Sequence, residues 1–184
     1  MLNNLEHINW SELRQAHGDA GHVPTALKGL ISSDETEQEA SYWKLDNHVV
    51  LQGDLYESAF YVIPFLLELL ESGITNGRNY VYDLLFEIAN GYAAEEVSCN
   101  YQGESLDLTE ACKRSVLTGI NLYLNEVANI GSESRENALD LIVSLESSSN
   151  DILSRLMQIL DDEKDSDFRD HLNEAISELS SNVN

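Results

Sequence analysis

Val23-Pro24-Thr25-Ala26-Leu27-Lys28-Gly29-Leu30 and, 40 residues on, Ile63-Pro64-Phe65-Leu66-Leu67-Glu68-Leu69-Leu70 share one pattern. Each has a β-branched residue, then proline, then leucines three and six positions after the proline. Pro24 suits the first turn of a helix, where a missing N–H costs nothing, so a helix is expected over 23–31. The second copy predicts a helix over 55–70, which Pro64 must kink or divide. Helical spacing continues outward from both. Ser11 caps a short first helix. Asp34 caps another, with Glu35, Glu37 and Glu39 near its positive end and Tyr42, Trp43, Leu45 and Val49 as apolar contacts. Residues 79–92 place Val81, Leu84, Leu85, Ile88 and Ala89 on one face, and Gly91 supplies a stop.

Asp107 caps a long helix reaching about Val127. Residues 132–145 and 150–160 read as an antiparallel pair joined at Ser147-Ser148-Ser149. A last helix covers 166–179, and Ser180 to Asn184 fray. The run Asp161-Asp162-Glu163-Lys164-Asp165-Ser166-Asp167 reads as a solvated, dipole-favoured helix start. Alternating β-type runs are nearly absent. Residues 94–106 read as a long loop, and loops of that length are commonly functional. A repeat offset of 40 lies within the ~40–47 of HEAT and armadillo arrays. The expected fold is therefore all-α: one domain over 1–184, a short helical-repeat superhelix of about eight helices stacked in pairs.

A family resemblance follows from two stretches. Trp10-Ser11-Glu12-Leu13-Arg14-Gln15-Ala16-His17-Gly18, followed by Val23-Pro24, resembles the opening of a bacterial HEAT-like repeat family. Gln52-Gly53-Asp54-Leu55-Tyr56-Glu57-Ser58-Ala59, followed by Ile63-Pro64-Phe65-Leu66-Leu67-Glu68-Leu69, is similar to that family's second signature. There the usual reading is His-Gln-Gly, Tyr-Glu-Ala, then Val-Pro-Phe-Leu; here Leu51 stands for the His and Ser58 for the Ala. The resemblance covers about residues 9–90. It implies a helical superhelix that binds other proteins; some members look like immunity proteins of bacterial toxin systems, including contact-dependent inhibition. Gln52 and Glu57 belong to the signature. Fold alone does not fix the task.

The 184 residues hold 10 Lys+Arg against 33 Asp+Glu, a formal charge of −23. The acid is spread out: 4 basic and 14 acidic residues lie in 1–92, and 6 and 19 in 93–184. So few cations exclude a phosphate-binding groove, and with it a HEAT-like DNA glycosylase. An anionic membrane surface would repel the chain. A basic protein partner is what this charge attracts, although charge of this size also serves solubility alone.

Cys99 and Cys112 form no CxxC and are too few for a disulfide framework, consistent with reduced thiols in a cytosol. No secretory leader is visible, and the most apolar run, Ala59 to Leu70, is far short of the ~20 residues of a membrane span. The expected location is cytoplasmic. No nucleotide, hydrolase, metalloprotease or EF-hand pattern is present, so no catalytic residue, cofactor or metal ligand is assigned. His17 and His22 read as loop histidines. Cys99 lacks a flanking base to activate it.

Interface hot spots favour Tyr, Trp and Arg, while charge steers the encounter. Tyr92, Glu95, Glu96, Tyr101 and Glu104, with Asp83 and Glu87 before them, are the candidate partner-binding residues. Trp10, Trp43, Tyr42, Tyr56 and Phe65 sit in helical apolar patterns and are expected in the core. The function expected is that of an immunity protein covering the cationic surface of a basic toxin domain, a nuclease by preference. The alternative is an acidic adaptor that scaffolds a cellular protein complex.

Overall fold

A computed structural model describes residues 2–145 and 149–181. Its contacts divide the chain into two units, Met1–Thr118 and Gly119–Asn184. The chain is mostly helical, as expected, but the first unit also carries short strands that the sequence reading left out.

In the first unit, 3-10 turns at Leu5–His7, Trp10–Glu12 and Ala20–His22 precede α1 (Val23–Gly29). The helix expected at Ser11 is only the second of these turns. The remaining helices are α2 (Glu35–Val49), α3 (Glu57–Glu71), α4 (Arg78–Asn90) and α5 (Leu108–Leu117). α1 packs on α2, α3 on α4 and α5, and α2 on α4. The Asp34 side chain accepts from the Thr36 N–H at 2.9 Å and fixes the start of α2. The two proline motifs occupy different helix positions: Pro24 opens α1, whereas Pro64 lies inside α3. α3 is not divided: it runs on through Pro64, which lies on its exposed side, where the Phe60 carbonyl left without an N–H partner is nearer to water.

The strands form two small ladders. β1 (Val50–Leu51) pairs antiparallel with β2 (Asp54–Leu55), and β2 pairs parallel with β3 (Tyr92–Ala93). β4 (Ser98–Tyr101) and β5 (Glu104–Asp107) form a hairpin inside the expected loop. Both hairpins turn on Gln-Gly, with φ of 55° and 87° at Gln52-Gly53 and 52° and 89° at Gln102-Gly103. Two consecutive left-handed residues are what a tight, twist-matched hairpin turn demands. Each hairpin leads into a helix, α3 or α5, and Asp107 caps the latter by accepting from the Glu110 N–H at 3.1 Å.

The long helix expected from Asp107 ends at Leu117, and a new one begins after Gly119. The second unit holds α6 (Ile120–Ala128), α7 (Arg135–Ser144), α8 (Asn150–Asp162) and α9 (Ser166–Ser181). α7 packs chiefly on α6 and α9, and α8 on α9 and α6, in place of the expected α7–α8 pair. Of the expected joint, Ser147 and Ser148 lie outside the described residues, as do residues 182–184 of the expected frayed end; Ser149 caps α8.

Arg135 and Glu163 form an ion pair with both side chains buried. The Arg135 guanidinium lies 3.8 Å from the Phe168 ring centroid and donates through Nε to the Val127 carbonyl at 2.8 Å. Glu163 accepts the Asp165 and Lys164 N–H groups at 2.9 and 2.8 Å. The Asp165 N–H first, and the Arg135 contact with it, hold its carboxyl below the usual range despite burial. Glu163 is thus a packed linchpin, not part of a solvated helix start. No described helix is long and apolar enough to cross a membrane.

Candidate functional site

The candidate residues fall on three elements. Asp83 and Glu87 lie on α4. Tyr92 is on β3, with Glu95 and Glu96 in the loop after it. Tyr101 and Glu104 flank the turn of the β4–β5 hairpin. The structure gives these groups different electrostatic settings.

Around the strands, cations of this chain stand against the acids. Arg14 pairs with Glu95. Arg114 reaches Glu110 through Nε at 2.6 Å and Glu104 through Nη1 at 3.1 Å. Tyr101 is half-buried, and its hydroxyl accepts from the Gln102 amide at 3.3 Å. Tyr92 is 75 % exposed. Glu95, Glu96, Val97 and Asp107 help line an open depression of about 620 Å³.

On the face shared by α2 and α4 the balance differs. Tyr80, Asp83 and Glu87 recur on α4 at helical spacing, and Tyr42, Trp43 and Asp46 come from α2. The Tyr42 and Tyr80 rings stack at 5.0 Å with a 27° interplanar angle. Trp43 meets Tyr42 edge-on at 4.9 Å and is 50 % exposed. Burial, then the charges of Asp46, Asp83 and Glu87, push the Tyr42 hydroxyl far above its ordinary range, and it donates to Asp46. Burial raises the Asp46 carboxyl, against the lowering effect of that hydrogen bond. Burial and the charge of Asp46 raise that of Glu87. Among the described residues, no Lys or Arg of the chain pairs with Asp46 or Glu87.

The sequence reading placed Trp43 and Tyr42 in the core. Trp10 and Phe65 are there, with rings 5.9 Å apart, but Tyr42 and Tyr56 are half-buried and Trp43 faces water. One signal could have found it. Glu39, Trp43 and Asp46 stand at i, i+4 and i+7, which places the indole on an acidic arc. Tyr82, by contrast, is fully buried.

Elsewhere, His48 brings its ring within 4.8 Å of His22 and 6.1 Å of His17. Burial first, then the nearby His22, lower its pKa, offset in part by a backbone hydrogen bond. No group of three or more His, Cys, Asp or Glu among the described residues is arranged to hold a metal ion. Burial pushes the Cys99 thiol up to about 11 and that of Cys112 higher still, so both are protonated at neutral pH. Comparisons with protein-family models, curated proteins and solved structures return no match for this chain.

Proposed function

We propose that this chain is an inhibitor that binds a basic protein through the α2/α4 face and thereby neutralises it. One observation carries the reading: Trp43, Tyr42 and Tyr80 lie beside Asp46 and Glu87, carboxylates that no Lys or Arg among the described residues pairs with. Partly exposed aromatics supply binding energy, and uncompensated acids supply steering and complementarity. A net charge of −23 extends that attraction over the whole surface. Residues 9–90 resemble a bacterial HEAT-like repeat family, some of whose members look like immunity proteins, and this favours a helical array with a bacterial toxin domain as the partner. A nuclease toxin fits best, because it must present a cationic cleft to its polyanionic substrate. Carboxylates here would then occupy the positions that phosphates take in that cleft.

The test is capture of partners from the source cell on the tagged chain, with low-salt and physiological-salt washes in parallel. The reading expects one small basic protein that survives physiological salt and is lost with Trp43→Ala. An acidic partner, or a housekeeping assembly untouched by that substitution, would replace it with the adaptor reading. Many basic proteins that all wash off would leave only nonspecific surface charge.

A further inference from the structure

We infer that the α2/α4 face is built to seat an arginine side chain of the partner, with the guanidinium lying against Trp43 and between the carboxylates of Asp46 and Glu87. This rests on the reading of that face as the partner surface and names the group that the face recognises.

Two features select arginine over lysine. The first is the aromatic shelf. Tyr42 joins Tyr80 and Trp43 into one continuous set of rings, with half of Trp43 open to solvent. A planar guanidinium stacks on such a surface, and an ammonium on its flexible stem gains less there. The second is the state of the acids. Asp46 and Glu87 are partly withdrawn from water and interact with one another and with Tyr42. Partly desolvated carboxylates favour the more weakly hydrated cation, and guanidinium sheds water more readily than ammonium. It can also donate to two carboxylates at once through its fork. The chain itself uses the same chemistry internally, where Arg135 lies over Phe168 and pairs with Glu163.

Charge complementarity commits the face to this occupant. A second copy of the chain would bring −23 against −23 and leave the same acids unanswered. A neutral apolar segment could cover the rings but would bury Asp46 and Glu87 without a counter-charge, which is costly.

The full-length chain is titrated with an arginine oligopeptide and with a lysine oligopeptide of equal length and charge, at low salt. Tryptophan emission and calorimetry give the readouts. The chain has two tryptophans, and Trp10 is buried, so a saturable shift reports Trp43. The expected result is roughly fivefold tighter binding of the arginine peptide, the scale of a partly exposed cation–π contact. Glu87→Gln and Asp46→Asn each weaken that peptide by a similar factor, and Glu104→Gln does not. Trp43→Ala removes the preference for arginine as measured by calorimetry. Equal binding of the two peptides, or binding indifferent to Glu87→Gln and Trp43→Ala, would overturn the arginine seat. That result would leave the inhibitor reading to the capture experiment. Capture of no basic protein, with arginine still seated on Trp43, would sink the inhibitor reading alone.

Discussion

Two acidic surfaces of the unit Met1–Thr118 look alike in sequence and differ in charge balance. Around β3 and the β4–β5 hairpin, Glu95 has Arg14 and Glu104 has Arg114. On the α2/α4 face, Asp46 and Glu87 interact with Tyr42 and pair with no Lys or Arg among the described residues, beside a half-exposed tryptophan. The first surface has spent much of its charge within the chain, and the second holds its charge in reserve. Counting acids does not locate a binding surface. Which acids lack a counter-ion is the sharper criterion, and it sets the α2/α4 face apart from the strands.

The comparison breaks most sharply at its aromatic centre. Trp43→Ala is expected to cost partner affinity about 2 kcal/mol, a hot-spot loss of about thirtyfold. Tyr92→Ala, at the strand surface, should cost less than about 1 kcal/mol, as most interface truncations do. Calorimetry on both variants checks the ranking, and a larger loss at Tyr92 would reverse the assignment of the site.

Next come the uncompensated acids. Their pKa values are raised in the folded chain, so the unfolded chain ionises more readily at these groups. Their contribution to stability is therefore fully present below the ordinary carboxylate range and is lost as pH rises through the raised values. Asp46→Asn with Glu87→Gln should raise the Tm at neutral pH by about one to three degrees while weakening the partner complex. The wild type should recover the difference on mild acidification. Thermal melts across that pH range measure it, and a fall in Tm at neutral pH would show that these carboxylates are structurally satisfied.

A smaller effect sharpens the other side. Arg14→Gln removes the cation beside Glu95. It should leave the Tm nearly unchanged, because exposed ion pairs contribute little, and should strengthen binding of basic peptides at low salt. No gain in peptide binding would mean that the strand surface is silent even when its charge is freed.

The smallest expected change lies in a turn. Gln102 holds a left-handed conformation that glutamine adopts at a cost, and asparagine tolerates it better. Gln102→Asn should stabilise the chain by a few tenths of a kcal/mol, up to about 1, in denaturant melts and leave both surfaces unchanged in binding.

The helices were legible because caps and periodicity act locally. Asp34, Asp107 and Ser149 each accept from the first turn of the helix they precede. The strands were not, because a two-residue strand such as Val50–Leu51 is too short to alternate, and Gln-Gly is a weaker hairpin cue than Asn-Gly. The break after Leu117 was hidden because the apolar spacing runs on through Ile120 and Leu124, while only Gly119 marks the interruption. Trp43 was expected in the core because its hydrophobicity outweighed its acidic neighbours Glu39 and Asp46, and it is half exposed. Glu163 was misread because a buried acid in an acidic run is distinguished only by its distant partner Arg135.

The Gln102-Gly103 turn also offers an engineering handle. Its four residues from Tyr101 to Glu104 project a tight, solvent-facing tip joined to a helix that Asp107 caps on its own. Exposed tips of this kind accept inserted sequence with little disturbance to what they connect. A reporter peptide or fluorophore grafted between Gln102 and Gly103 would ride on the strand surface and leave the Trp43 face free. The chain could then be turned into a sensor that signals when its partner is captured.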